Sequence, residues 1–179
     1  MIDIVKAQST GGGSWGTDAR SDIWLNNGTG WSNNTIWNYP ECHQSNKALC
    51  FVGSTGGDYG TRLIDVNGDG LVDIVKGLTY QSAPPLGSSD IWLNNGTGWN
   101  NNTWYYPECS GNNVSLCIAL VDNSGHGTRF GDINGDGLID IIKAKELVVS
   151  NGPGVSDIWL NNGTGWNNQT GWQYVPCVR

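Results

Sequence analysis

The sequence predicts an all-β chain assembled from about three copies of one four-stranded unit, and two observations carry that prediction. The first is composition: 179 residues contain 27 Gly, 21 Asn and one Met, and only 14% of them are charged. Such a mixture is poor in helix formers, while ten Trp make it too aromatic for a disordered chain. The second is repetition. Asp-Ile-Trp-Leu-Asn-Asn-Gly-Thr-Gly-Trp begins at Asp22, Asp90 and Asp157, and Asp-Ile-Val/Ile-Lys begins at Asp3, Asp73 and Asp140. A third block, Asp-x-Asn-Gly-Asp-Gly-Leu-x-Asp, is complete at residues 65–73 and 132–140, and Met1-Ile2-Asp3 aligns with its last three positions.

Each unit reads as two hairpins. Residues 61–66, and again 128–133, form a short first strand running into the Asp-rich turn. Residues 73–76 leave that turn, and the tight Gly-containing connection makes the pair a hairpin. Residues 89–94 alternate Ile and Leu with polar residues and Trp; Asn95-Gly96 then supplies a second hairpin turn. Residues 99–106 return and end at Pro107. Four strands roughly every 67 residues is the spacing of a β-propeller blade, and a sheet this small must stack on neighbours to bury its faces. A β-solenoid competes, although its coils are usually shorter. The expected blades are residues 1–60, lacking the first strand and most of the Asp loop, then 61–127 and 128–179.

Oxygen ligands at alternate positions of a tight loop suit a hard cation such as calcium. One loop offers Asp65, Asn67, Asp69, the Leu71 carbonyl and Asp73; the other offers Asp132, Asn134, Asp136, the Leu138 carbonyl and Asp140. Three carboxylates within nine residues repel one another without a cation, and the two loops hold six acids in a chain of net charge -7. The expectation is two full Ca2+ sites per chain. An EF-hand is excluded because its closing Glu is replaced by Lys76 or Lys143.

The run Asp-x-Asn-Gly-Asp-Gly-Leu-x-Asp-Ile-Val-Lys-Gly, preceded by Gly-Thr-Arg and in one copy by Phe130-Gly131, resembles the FG-GAP/VCBS repeat. That family includes the calcium loops of integrin α-subunit propellers and of many bacterial surface proteins. The resemblance covers each unit's first hairpin closely and its Trp-Leu-Asn-Asn-Gly-Thr-Gly-Trp hairpin more loosely. It implies a β-propeller with calcium in the loop between the first and second strands, held by the two residue sets named above. Repeats of about 67 residues are somewhat long for the family, and three blades are fewer than its usual six to eight.

Cys42 and Cys50, and Cys109 and Cys117, share a spacing of eight. Repeat symmetry makes one local disulfide per unit the simplest pairing, although four cysteines formally allow three. Cys177 stands alone. Disulfides imply an oxidising compartment, so the expected location is extracellular or at the cell surface. The candidate ligand surface comprises Trp15 and Tyr80 in connections that differ between units, together with Trp24, Trp92 and Trp159 of the repeated hairpins. Those repeated rings suit either blade-to-blade packing or sugar stacking.

Function classes narrow accordingly. A net charge of -7 with no basic patch argues against nucleic acid. No run of 18 apolar residues predicts a membrane span, and the N-terminus carries no signal-peptide pattern. An enzyme is disfavoured: the acids are committed to the loops, the two His sit at unmatched positions, and three Glu offer little to glycoside chemistry. The expectation is a non-catalytic, calcium-binding extracellular propeller module for adhesion or recognition of a protein or glycan ligand. A second copy of the chain is the expected partner, as a dimer completing a ring. The alternative is a multivalent lectin using the Trp/Asn hairpins.

Overall fold

A computed structural model describes residues 3–10, 18–34, 36–40, 42, 49–53, 56–80, 86–101, 104, 106–110, 116–120, 127–145 and 155–172. Its described elements are all strands, arranged in three mainly antiparallel sheets. The first contains β1 (Ile4–Thr10), β2 (Asp18–Asn26) and β3 (Trp31–Asn33) in that order. The second orders β4 (Thr61–Ile64), β5 (Asp73–Tyr80), β6 (Leu86–Asn94) and β7 (Trp99–Asn101), with β8 (Ala119–Leu120) pairing in parallel with β5. The third runs β9 (Thr128–Gly131), β10 (Asp140–Lys145), β11 (Val155–Asn161) and β12 (Trp166–Asn168). Among the described residues no sheet closes on itself.

The register repeats from sheet to sheet. Ile4 faces Trp24, Ile74 faces Trp92, and Ile141 faces Trp159; Lys6, Lys76 and Lys143 face Asp22, Asp90 and Asp157. Several strand limits differ from the sequence expectation, each for a local reason. The strand expected at residues 61–66 ends at Ile64, because the Asp65 carboxylate bends the chain by accepting the Gly68 and Gly70 amides. β5 continues beyond Lys76 to Tyr80, so the supposed connection at residues 77–89 is largely hairpin ladder. At the same register position as Ala7, whose carbonyl accepts the Phe51 amide, the Gly77 carbonyl accepts the Ile118 amide, and a Cβ on Gly77 would crowd Ile118. The strand expected at residues 99–106 stops at Asn101, and Trp104 and Tyr106 instead pack against Trp166 of the next sheet.

Both expected disulfides are present, Cys42–Cys50 and Cys109–Cys117, fully buried and local. Each sits in a tied hub. Tyr39 donates its hydroxyl to the Leu49 carbonyl and Tyr106 to that of Leu116, and burial pushes both phenols' pKa upward, so they remain donors. The next sheet is then fastened to the hub, Thr61 Oγ1 donating to the Cys50 carbonyl and Thr128 Oγ1 to that of Cys117, both at 3.1 Å. Cys177 lies outside the described residues.

Two hydrophobic cores result, each between consecutive sheets. Ala7, Ile23 and Leu25 of the first sheet pack with Ile74, Trp92 and Trp99 of the second. Val75, Ile91 and Tyr106 of the second pack with Ile141, Trp159 and Trp166 of the third. The aromatic contacts match: Trp37 meets Trp99 edge-on at 5.2 Å, and Trp104 meets Trp166 edge-on at 5.7 Å. The apolar faces are thus buried by stacking in series, as small sheets require.

Candidate functional site

The two Asp-rich loops fold almost identically. In one, Asp65 Oδ1 and Oδ2 accept the Gly68 and Gly70 amides at 2.8 Å each. Asn67 Oδ1 accepts the Asp69 amide, Asn67 Nδ2 donates to Asp69 Oδ2, and Asp69 Oδ1 accepts the Leu71 amide. In the other, Asp132, Asn134, Asp136 and the Leu138 amide repeat the pattern. Side-chain carbonyls capping nearby amides are the usual reason Asp and Asn form turns. Gly68 and Gly70 have φ of 75° and 86°, as do their counterparts at 81° and 88°, a region open to Gly at no steric cost.

Asp73 and Asp140 lie elsewhere in the site. Both are fully buried at the base of their loops, and each bridges two elements. Asp73 Oδ2 accepts the Val66 amide and Oδ1 the Asn94 amide; Asp140 does the same with Ile133 and Asn161. The ninth loop position therefore ties the loop to the second hairpin. Burial raises the Asp73 pKa, the two amide bonds oppose that rise, and the charges of Asp69 and Asp65 add to it. Leu71 and Leu138 are half-buried, and Leu138 packs over Gly68 of the neighbouring loop. Among the described residues, no three His, Cys, Asp or Glu side chains converge tightly enough to hold a metal.

Of the expected ligand surface, Trp15 lies outside the described residues, and Tyr80 closes the β5–β6 ladder opposite Leu86. Trp92 and Trp159 are half-buried against the interfaces, and their Nε1 atoms are buried without a hydrogen-bond partner. Trp24, in the corresponding place on the first sheet, is 39% exposed.

That contrast extends across a whole face. On the first sheet Ile4 (45% exposed), Trp24, Trp31 (52%) and Lys6 face outward. Their counterparts Ile74 and Lys76, and Ile141 and Lys143, are buried beneath the preceding sheet, and Trp166 is 7% exposed. At the other end of the stack Trp172, which stands at the same place in its unit as Trp37 and one residue further along than Trp104, is 46% exposed.

Three features escaped the sequence reading. Asn94 and Asn161 act as bridges through Nδ2, Val66 is a buried plug, and each interface contains a Lys opposite an Asp. The signal for the last was present, since Lys and Asp recur at fixed places in two repeated blocks. Burial raises the Asp90 pKa, with the Lys76 charge pulling it back.

No protein-family model, curated protein or solved structure matches the chain.

Proposed function

We propose that the chain is a calcium-binding, non-catalytic extracellular β-propeller module used for adhesion or recognition. The observation that carries this reading is the duplicated loop whose exposed Asp and Asn oxygens lie above a fully buried aspartate. The donors are all hard oxygens, and each oxygen that accepts one amide keeps a second lone pair. The negative fields of Asp65 and Asp69 already reach Asp73, an electrostatic burden that a cation would relieve. Asp65, Asn67, Asp69, the Leu71 carbonyl and Asp73, with Asp132, Asn134, Asp136, the Leu138 carbonyl and Asp140, would hold two ions. Bound calcium would offset two of the three carboxylate charges in each loop and stiffen the junction between the hairpins. The FG-GAP/VCBS resemblance supports the same assignment, and two buried disulfides suit an oxidising location.

Calorimetric titration of the chelated protein tests this. Two calcium equivalents should bind, with Asp69→Asn and Asp136→Asn each removing one; the absence of a binding heat together with an unchanged melting temperature refutes the reading.

The same reading extends to a second copy of the chain. The exposed Ile4/Trp24/Trp31 face repeats a face that is covered twice within the chain, and Trp172 repeats the ring that covers it. A head-to-tail dimer would form that contact again and bring the stack towards a closed ring. Light scattering should then give twice 19.3 kDa, and Trp31→Asp should return it to the monomer. A wild-type monomer at every concentration refutes the dimer. The lectin alternative draws less support, because the repeated rings Trp92 and Trp159 are taken up by packing.

A further inference from the structure

Between the first and second sheets lies a cavity of about 660 Å³, lined by Asp3, Val5, Leu25, Asn94 and Trp99 among others. The corresponding place between the second and third sheets is filled. There Val66 is fully buried and Ile64 packs beside it. Val66 is gripped from both sides: its amide donates to Asp73 Oδ2 at 2.9 Å, and its carbonyl accepts from Asn161 Nδ2 at 2.7 Å. The strand leading to it, β4, pairs with β5 from Thr61 opposite Lys76 to Ile64 opposite Asp73.

The groove on the first sheet keeps the receiving half of this arrangement. Asp3 Oδ1 accepts the Asn26 amide at 2.8 Å, as Asp73 Oδ1 accepts that of Asn94. Asn94 Nδ2 donates to the Val72 carbonyl at 3.1 Å, as Asn161 Nδ2 donates to that of Ile139 while also holding Val66. Among the described residues no strand lies on the edge of β1 opposite β2 along residues 3–6, the length that β4 covers on β5. Further along β1, Val52 bridges Gln8 in parallel, as β8 pairs with β5. The open edge therefore stops where the Val52 bridge begins.

We infer that this groove binds an extended peptide segment of the repeat's own first-strand type, Thr-Arg-Leu/Phe-Ile/Gly-Asp-Val/Ile-Asn-Gly-Asp-Gly. The segment adds antiparallel to β1, directs its Val or Ile into the cavity, and gives that residue's amide to Asp3 and its carbonyl to Asn94. Main-chain pairing at a sheet edge supplies affinity, and the pocket for one side chain supplies selectivity. The inference rests on packing and does not require calcium.

The test is a synthetic, fluorescently labelled peptide of residues 60–73 titrated with the intact chain, in calcium and in chelator, followed by anisotropy. Hydrogen exchange on the complex locates the site. Saturable binding is expected, with slowed exchange in residues 4–6. A peptide carrying Val66→Asp should bind at least about tenfold more weakly, since it offers a charge to an apolar pocket. That change sits in the peptide, so the chain's folding is not at issue. No saturable binding in either condition, equal binding by the substituted peptide, or protection appearing away from β1 overturns the inference.

Discussion

The two sheet-to-sheet interfaces are built from the same parts and yet differ in how they are finished. On both, a Trp of the later sheet receives a Trp and a Tyr from the earlier one, with Tyr–Trp centroids 5.9 Å apart in each case. Between the second and third sheets that aromatic cluster surrounds Val66 and is crossed by the Asn161 bridge. Between the first and second sheets the same cluster borders an open cavity. The aromatic contacts therefore set the stacking, while the plug residue and its amide partners seal it. Close packing without voids is what makes an interior sensitive to the loss of atoms.

The largest expected effects sharpen that contrast. Trp166→Ala removes a ring 7% exposed from a filled interface and should cost about 3–5 kcal/mol of unfolding free energy. Trp99→Ala should cost less, about 2–3 kcal/mol, because its neighbours already border a cavity and can collapse into it. Trp31→Ala, at a ring 52% exposed, should stay under about 1 kcal/mol. Urea denaturation of the three variants at a concentration that keeps the chain monomeric provides the comparison. Equal losses for Trp166 and Trp31 would show that exposure does not rank these positions.

A second test concerns the aspartate that closes each first hairpin. Asp73 holds two amides and is fully buried, whereas Asp3 is exposed and accepts the Asn26 amide. In chelator, Asp73→Ala leaves the Val66 and Asn94 amides buried without an acceptor, at about 1–3 kcal/mol for each orphan. Asp3→Ala should cost about 0.5–1.5 kcal/mol, the value of one ordinary hydrogen bond. Measuring both in chelator separates this tethering role from metal binding. A similar loss at the two positions would mean that the hook contributes little beyond a surface contact.

Much of this organisation is legible in the residues because repetition makes periodicity and turn chemistry consistent from unit to unit. The Gly-containing Asp loops, the Asn-Gly hairpins and the cysteine spacing each specify local geometry, and each appears as local geometry in the structure. What depends on contacts between units is not written in any one unit. Val66 looks like a spacer inside a cation motif, yet its burial arises from packing against residues about 75 to 100 positions later. Asn161 belongs to a hairpin turn by its sequence, and its second role depends on a carbonyl 95 positions earlier. Trp104 and Tyr106 alternate as a strand would, but β7 covers Trp99–Asn101 and both rings pack against Trp166 of the next sheet, a contact that lies outside their own unit.

The smallest expected effect separates the second sheet from the third through a charge. Arg62 donates to the Thr61 carbonyl and to both oxygens of Asp58, and Arg129 donates to the Thr128 carbonyl; where the second unit has Asp58, the third has Gly in sequence. Burial pushes the Asp58 carboxyl upward, but the Arg62 hydrogen bonds, the Gly60 amide and the charges of Arg62 and Lys76 outweigh it and hold the pKa below the ordinary value. A carboxyl depressed on folding contributes stability that is complete above its unfolded pKa, about 4, and is lost as pH falls through the lower folded value. Both partners are over a third exposed, so solvent screening limits the gain to under about 1 kcal/mol. Arg62→Ala should flatten the acid limb of the stability profile slightly, and 1 M salt should mimic it. Arg129→Ala should leave that limb unchanged; an equal response from both variants would trace the effect to the arginine's bond with its own strand rather than to the carboxylate.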